Sequence, residues 1–464
     1  MGIVKQLVNS FLFWGAWIII PVIMEIIPAL GSLFLLIKRR MQYQKRAQEH
    51  IYYPEISIIV PVYNSQDTLF RCIQSIYHST YPVESIRLFL VNNQGRDDSF
   101  KVYAKCQEKF PKLHMQWLNA EQGKSRALNL ALYNSEGKYI INLDSDGVLE
   151  ASALENMIRK FEQNQNLNCM TGAILTNPSK IKRYKRKRDR LLRKLEFMEY
   201  AQAFLAGRSY ASEIDAVYTL SGAFSAFRKS AILKSRLYNT DTICEDTQVT
   251  FQMRYLYHEK VEICEDAIFF VDPIDDLNKL YTQRQRWQRG SLEVAKMFMD
   301  KHFKLSRLFV DVNVKTLLYD HTFAFPRMIW YLALICLMSM NYSSKVVLIS
   351  MAMLFALYMM IGFCYFLTAV FFLRKVPRIQ KYYRNQWWCV FLLPFFNLMV
   401  FFIRMAGIIN SIQTDSVWRT RNLSQEKKAL VRVIKADMRK PLEWIRWLRQ
   451  KVNIEEDEGK ESEF

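Results

Sequence analysis

Glycine and proline are scarce in this chain of 464 residues, at 14 and 12. With 14% aromatic residues beside them, that scarcity excludes a collagen-like, linker-type or disordered chain. Cysteine is scattered: the eight thiols (Cys72, Cys106, Cys169, Cys244, Cys264, Cys336, Cys364 and Cys389) include no C-x-x-C pair. Neither a zinc site nor a disulfide framework is indicated, and reduced, cytosol-facing thiols are expected. Acidic residues fall short of basic ones, 44 against 64, for a net charge of +20. No basic groove interleaved with aromatic residues accompanies that excess, so an anionic membrane surface is the expected partner and nucleic acid is not. The length points to two or three domains.

Charge is missing from four stretches. Phe11–Ile37 holds only Glu25, Phe323–Met340 only Arg327, and Val346–Leu373 and Trp387–Ile403 hold no charge at all. A membrane helix needs about 20 apolar residues. The first and third stretches are long enough to span with tilt, whereas the fourth is marginal and contains Pro394 and Asn397. The first stretch is too long for a signal-peptide core, and its basic cluster Lys38-Arg39-Arg40 follows it. That cluster puts the following block on the cytosolic side of a cell membrane, with a multi-pass topology. Residues 414–451 hold eleven Lys/Arg against four Asp/Glu, which favours an inside tail. Within it, 427–451 reads as a basic amphipathic helix. The expected division is 1–50, a membrane span with a basic linker; 51–298, a cytosolic domain; 299–413, an interfacial helix and further spans; and 414–464, the tail. No repeat relates the spans, which argues against a transporter.

The cytosolic block reads as α/β. Short apolar runs at Ile56–Val62, Leu88–Val91, Met115–Leu118 and Tyr139–Leu143 alternate with helix-length segments. That alternation predicts a doubly wound, mostly parallel sheet. Ligands of such sheets sit beyond the carboxyl ends of the strands. Pro61, Tyr63 and Asn64 follow the first strand, Asn92 and Asn93 the second, and Asp144-Ser145-Asp146 the fourth. Two carboxylates at i and i+2 repel unless a cation lies between them, and hard oxygen ligands suit Mg²⁺ or Mn²⁺. The plainer alternative is an acidic turn capping a helix that starts near Leu149. Lys124, at a helix start, can hold a diphosphate. Asp246, after Cys244 and Glu245, can serve as an N-cap or a general base. Gln283, Arg286 and Trp287 put an amide, a cation and an indole in one helical turn, for a pyrophosphate and a sugar ring.

Taken in order, P-x-Y-N, G-K-x-x-A-L-N, D-x-D, x-E-D and Q-x-x-R-W resemble the motif series of membrane-embedded, polymer-forming family 2 glycosyltransferases. Poly-N-acetylglucosamine, hyaluronan and cellulose synthases belong to that group. The resemblance covers roughly 240 residues plus the flanking spans; each motif is weak alone, and the series is strong. It implies a GT-A-like fold. Asp144 would be a donor and metal ligand, Asp146 the more direct metal ligand, and Asp246 the base with Glu245 beside it. Donor contacts would come from Pro61, Tyr63, Asn64, Asn92, Asn93, Lys124, Gln283 and Arg286, and acceptor contacts from Trp287, Ser221 and Gly222. Asn92-Asn93-Gln94-Gly95 departs from the family's usual Asp-Asp-Gly-Ser, and resembles a Gram-positive subgroup associated with exosortase G. Trp418-Arg419-Thr420-Arg421 resembles a segment that follows the last span in hyaluronan synthases.

The resulting expectation is an inverting, metal-dependent transfer of N-acetylglucosamine or a similar sugar from a UDP-sugar donor. The acceptor is a growing extracellular polysaccharide, a glycan or lipid-linked chain, with room for accessory subunits. Two alternatives remain: a polyprenyl-phosphate sugar transferase, and a degenerate, non-catalytic nucleotide-binding membrane partner, which Asn92-Asn93 would favour.

Overall fold

A computed structural model of the chain describes residues 52–302, 344–413 and 423–426, with 26–27, 29–31, 33–35, Lys38 and Cys336. Apart from those few positions, the first two apolar stretches lie outside the described residues, as do Trp418–Arg421 and the amphipathic run 427–451.

Strands form where short β-branched runs predicted them. β1 (Ile56–Val62) and β4 (Tyr139–Leu143) keep the expected bounds, and β2 (Ile86–Asn92) and β3 (His114–Asn119) extend theirs slightly. Helices α1 (Leu69–Tyr77), α2 (Ser99–Lys109) and α3 (Lys124–Asn134) cross between them. β1 pairs in parallel with β2 and β4, and β2 with β3. β4 is buried at every position, as a central strand covered on both faces must be. β5 (Val148–Leu149), α4 (Ala153–Gln163), β6 (Cys169–Thr176), β7 (Phe224–Arg228) and β8 (Val261–Val271) complete the domain. The sheet order is β3-β2-β1-β4-β7-β6-β8-β5. β7 runs antiparallel to both β4 and β6, and β8 parallel to β6. The sheet is therefore mixed and mostly parallel, a GT-A-like α/β arrangement. Because β7 is reversed, it begins at the edge where β1, β2, β4 and β8 end. One edge thus collects every segment expected to carry chemistry.

The helix anticipated near Leu149 starts instead at Ala153, with Ser152 as its N-cap. Val148–Leu149 pairs with β8. Asp144 and Asp146 therefore cap no helix and are left for other work.

Helix α5 (Lys187–Tyr200) continues through a π-helical stretch, Ala201–Gly207, into α6 (Arg208–Glu213). α7 (Glu245–Phe251) precedes β8, and α8 (Leu277–His302) follows it. α9 (Ser344–Phe372), α10 (Pro377–Arg384) and α11 (Leu393–Gln413) come later in the chain. Among the described residues, two helical segments are long and apolar enough to cross a membrane: Val347–Lys375, which is most of α9 with the 3-10 turn that follows it, and Leu393–Asn410 of α11. The fourth apolar stretch is not one helix: Trp387–Phe391 forms a 3-10 turn before α11. Pro394 sits in the first turn of α11, where its missing N–H costs nothing.

These helices pack on the α/β domain. Phe197 of α5 meets Tyr382 and Tyr383 of α10 at ring distances of 5.3 and 5.8 Å, and Lys375 pairs with Asp266 at 2.6 Å. Asn410 of α11 donates to Gln285 of α8 at 3.3 Å and to Glu426 at 2.8 Å. Ser424 donates to Asn278 of α8 through its N–H (3.2 Å) and its hydroxyl (3.0 Å). The chain leaving α11 therefore returns to the α/β domain.

Candidate active site

Lys124 is the centre of the site. Gly123, at φ 138°, makes the turn into α3, and its N–H donates to the Asn93 side-chain carbonyl at 2.5 Å. The Lys124 ammonium then lies 2.7 Å from Asp144 at the end of β4 and 3.3 Å from Glu245 at the start of α7. It also donates to the Gly222 carbonyl, before β7, at 3.2 Å. Burial alone would lower the lysine, yet Asp144, Glu245 and Asp246 raise it well above its usual range. Lys124 is thus a fixed cation tying three loops together.

The carboxylates divide into two sets. Asp146 lines the cavity with its side chain open to solvent. Crowding by the protein around it, with Asp144 beside it, pushes its carboxyl up to about 6. Asp144 already faces Lys124, so the charge at Asp146 is the less compensated of the two. In the second set, burial raises the Glu245 carboxyl against the pull of Lys124. Asp246 is held by hydrogen bonds: Oδ2 accepts the Gly222 N–H at 3.0 Å, and Oδ1 the Thr247 N–H at 2.7 Å.

On α8, Gln283, Arg286 and Trp287 stand at i, i+3 and i+4, which puts them on one helical face. All three line the same cavity of about 360 Å³ as Lys124, Asp144, Asp146, Ser221, Gly222, Glu245 and Asp246. Pro61, Tyr63, Asn64, Asn92 and Asn93 lie outside its lining. The Asn64 side-chain carbonyl accepts Arg96 N–H at 2.9 Å. The Asn92 amide spans Gly95 N–H and Asn119 Oδ1, both at 3.1 Å. A base reading Asn92 or Asn93 would have to share a carbonyl that already accepts a backbone N–H.

Several cavity residues went unread in the sequence. Asp272 directly follows β8, faces Arg71 at 3.3 Å and Lys180, and adds negative charge near Asp146. Tyr200 and Phe204 come from α5 and its π-helical continuation, and Tyr365 and Arg404 from α9 and α11. Arg404 had a signal, as the charge that ends the fourth apolar run. Among the described residues no group of three or more His, Cys, Asp or Glu could hold a metal ion. The donor set still fits a divalent cation that arrives with a substrate: one or two carboxylates plus phosphate oxygens is how Mg²⁺ is commonly bound.

Behind this face, Glu196 on α5 is buried and accepts the Ile274 N–H at 3.1 Å. Burial, against the pull of Arg284, pushes its carboxyl from 4.5 up to about 7. The unfolded chain loses this proton first, so stability should fall as pH rises from about 4.5 to about 7, by up to ~1.4 kcal/mol per pH unit. Glu196→Gln should flatten that slope in thermal melts taken across the window; an unchanged slope would mean Glu196 is ionised in the fold.

Residues 57–234 match the sequence model of glycosyl transferase family 2. Among curated proteins, the chain is 26% identical over 292 residues to poly-beta-1,6-N-acetyl-D-glucosamine synthase of Staphylococcus aureus (strain MSSA476), covering 62% of this chain and 66% of that one. The Staphylococcus epidermidis synthase is 26% identical over 277 residues, 59% and 64% of the two chains. The alignments thus span just under two thirds of those relatives' own length. Among solved structures, the mannosyltransferase PcManGT from Pyrobaculum calidifontis, in complex with GDP-Man and Mn2+, superposes with a TM-score of 0.49 at 17% identity. That superposition covers 75% of this chain and 97% of that one.

Proposed function

We propose that this chain, which carries a glycosyltransferase family 2 domain, moves a sugar from a UDP-sugar, N-acetylglucosamine or similar, onto a growing polysaccharide with inversion at the anomeric carbon. The observation carrying this reading is the Lys124 ammonium, which links Asp144 at the D-x-D strand end to Glu245 beside Asp246 across one cavity walled by Arg286 and Trp287. The similarity to polymer-forming synthases supports the substrate class.

In this reading Asp144 and Asp146 would hold Mg²⁺ or Mn²⁺, which supplies positive charge beside the departing diphosphate. Arg286 clamps the diphosphate, and its planar fork suits two phosphate oxygens. Trp287 stacks against the acceptor sugar. Asp246 Oδ2, steadied by the Gly222 N–H, takes the proton from the acceptor hydroxyl as it attacks the face opposite the diphosphate. The acceptor oxygen gains the anomeric carbon, the diphosphate leaves with the bonding electrons, and Asp246 keeps the proton.

Gly222 makes the base geometry possible, since a Cβ there would sit 2.9 Å from Asp246 Oδ2 and 3.3 Å from Lys124 Nζ. Gly222→Ala should cut transfer about 10²-fold with little change in melting temperature; wild-type turnover would show that Asp246 need not stand where it does.

We place the α/β domain on the inner side of a membrane that α9 and α11 enter, with the tail on the same side. The hydrogen bonds from Ser424 to Asn278 support a shared side. A cysteine introduced at Ser424 should react with an impermeant maleimide only in inverted vesicles; labelling in right-side-out vesicles would reverse the tail.

The engaged carbonyls of Asn92 and Asn93 favour a second reading, a nucleotide-binding partner without catalysis. Release of UDP from labelled UDP-N-acetylglucosamine by the purified chain separates the two: release supports the transferase, and binding without release the partner.

A further inference from the structure

Behind Trp287 lies a charge that the transfer chemistry does not use. Arg284 is 1% exposed and pairs with Glu199 of α5 at 2.5 Å. Its guanidinium carbon stands 4.4 Å from the centre of the Trp287 ring and 5.4 Å from that of Tyr200. Both residues border the cavity, Trp287 half-buried and Tyr200 only 3% exposed. Phe204 meets the Trp287 ring edge-on at 5.8 Å. Two further contacts of α5 fix the segment entering α8: Glu196 accepts the Ile274 N–H at 3.1 Å, and Arg193 donates to the Asp275 carbonyl.

A buried ion pair is a poor source of stability, because an apolar pair of similar volume often serves as well. The Arg284 Nε, moreover, has no hydrogen-bond partner among the described residues. Hydrogen bonding alone therefore does not account for an arginine here. A planar cation placed over two aromatic rings restrains where both rings stand in a way that methionine or lysine does not match.

We infer that Arg284, anchored by Glu199 and flanked by the buried Tyr200, is a positioning residue that holds Trp287 as a stacking platform for the acceptor sugar. The inference deepens the transferase reading and rests on it for the identity of the ligand. It also divides the Q-x-x-R-W turn between two duties: Gln283, Arg286 and Trp287 face the cavity, while Arg284 faces back into the domain and orders the indole.

The test uses the full-length chain in nanodiscs, with UDP-N-acetylglucosamine as donor and a β-1,6-linked N-acetylglucosamine tetrasaccharide as acceptor. Arg284→Lys keeps a cation for Glu199 but loses the flat stack. The KM for the tetrasaccharide should rise about tenfold, while UDP release to water and the melting temperature stay at wild type. An unchanged KM overturns the inference. Should the lysine variant melt early, Glu199→Met with Arg284→Met removes both buried charges. A stable double variant that still binds the tetrasaccharide weakly supports positioning, and one that binds it normally reduces Arg284 to packing and overturns it. If the wild-type chain releases no UDP, the transferase reading fails. Direct tetrasaccharide binding by calorimetry then decides the platform separately: weaker binding by Arg284→Lys sustains it, and equal binding ends it.

Discussion

Asp246→Asn should lower sugar transfer by about 10²–10⁴-fold while leaving donor affinity at its wild-type value. The amide keeps an oxygen for one of the N–H groups that steady the carboxylate, from Gly222 at 3.0 Å and Thr247 at 2.7 Å. The local fold should therefore survive. Lost is a group able to take a proton from a hydroxyl, and positioned general bases contribute about 10²–10⁴-fold. The expected result is a fall of that size in kcat with an unchanged KM for UDP-N-acetylglucosamine. Turnover within a few-fold of wild type would remove Asp246 as the base and point to its neighbour Glu245.

The second large effect is expected at Asp146. Crowding by the protein around it and the charge of Asp144 push its carboxyl up to about 6. Lys124 faces Asp144 at 2.7 Å, so the cavity has fixed positive charge for one of the two aspartates more than for the other. A divalent ion carried in by a diphosphate would relieve that imbalance, and two carboxylates plus phosphate oxygens form a reasonable donor set for it. Asp146→Ala should lower transfer by about 10³-fold or more, an effect on the scale of removing one preorganised electrostatic contact or slightly above it. Chelation of the wild-type chain should produce a similar loss, restored by Mg²⁺ or Mn²⁺. Full activity in chelator would overturn the metal role and leave side-chain cations such as Lys124 and Arg286 to act on the diphosphate.

The sequence was most legible where one physical signal acted alone. β1 and β4 are short, uncharged and β-branched, and their bounds came out unchanged. β8 was hidden because Glu262, Glu265 and Asp266 break its apolar run. The register between β6 and β8 is shifted around Gly172, so that Gly172 faces Cys264 and Ala173 faces Ile268; Glu265, Asp266 and Ala267 bulge out of the ladder, while Glu262 stays paired opposite Met170. With β8 unread, Asp272 at its end went unread as well. β7 was hidden for another reason: it is only five residues long and antiparallel, and alternation of strand and helix does not announce a reversed strand.

Within the candidate site, residue types were legible and their partners were not. A lysine at a helix start suggested a phosphate ligand. That it bridges Asp144, Gly222 and Glu245, up to 121 positions away, follows only from the reversal of β7 and the placement of α7. Gln283, Arg286 and Trp287 share a face because of helical spacing alone, and that much was readable. The opposite duty of Arg284 depends on Glu199 reaching it from α5. The Asn92 and Asn93 side chains, read as candidates for a uracil, are also spent on structure: Asn92 on Gly95 of its own loop and Asn119 of β3, and Asn93 on Gly123 at the turn into α3.

The most direct measurement is a structure of the full chain with UDP and Mn²⁺. The account predicts the diphosphate between Asp146 and Arg286, the metal on Asp144 and Asp146, and Asp246 facing open space beside Trp287. A nucleotide bound elsewhere, with Lys124 still closing the gap between Asp144 and Glu245, would contradict it.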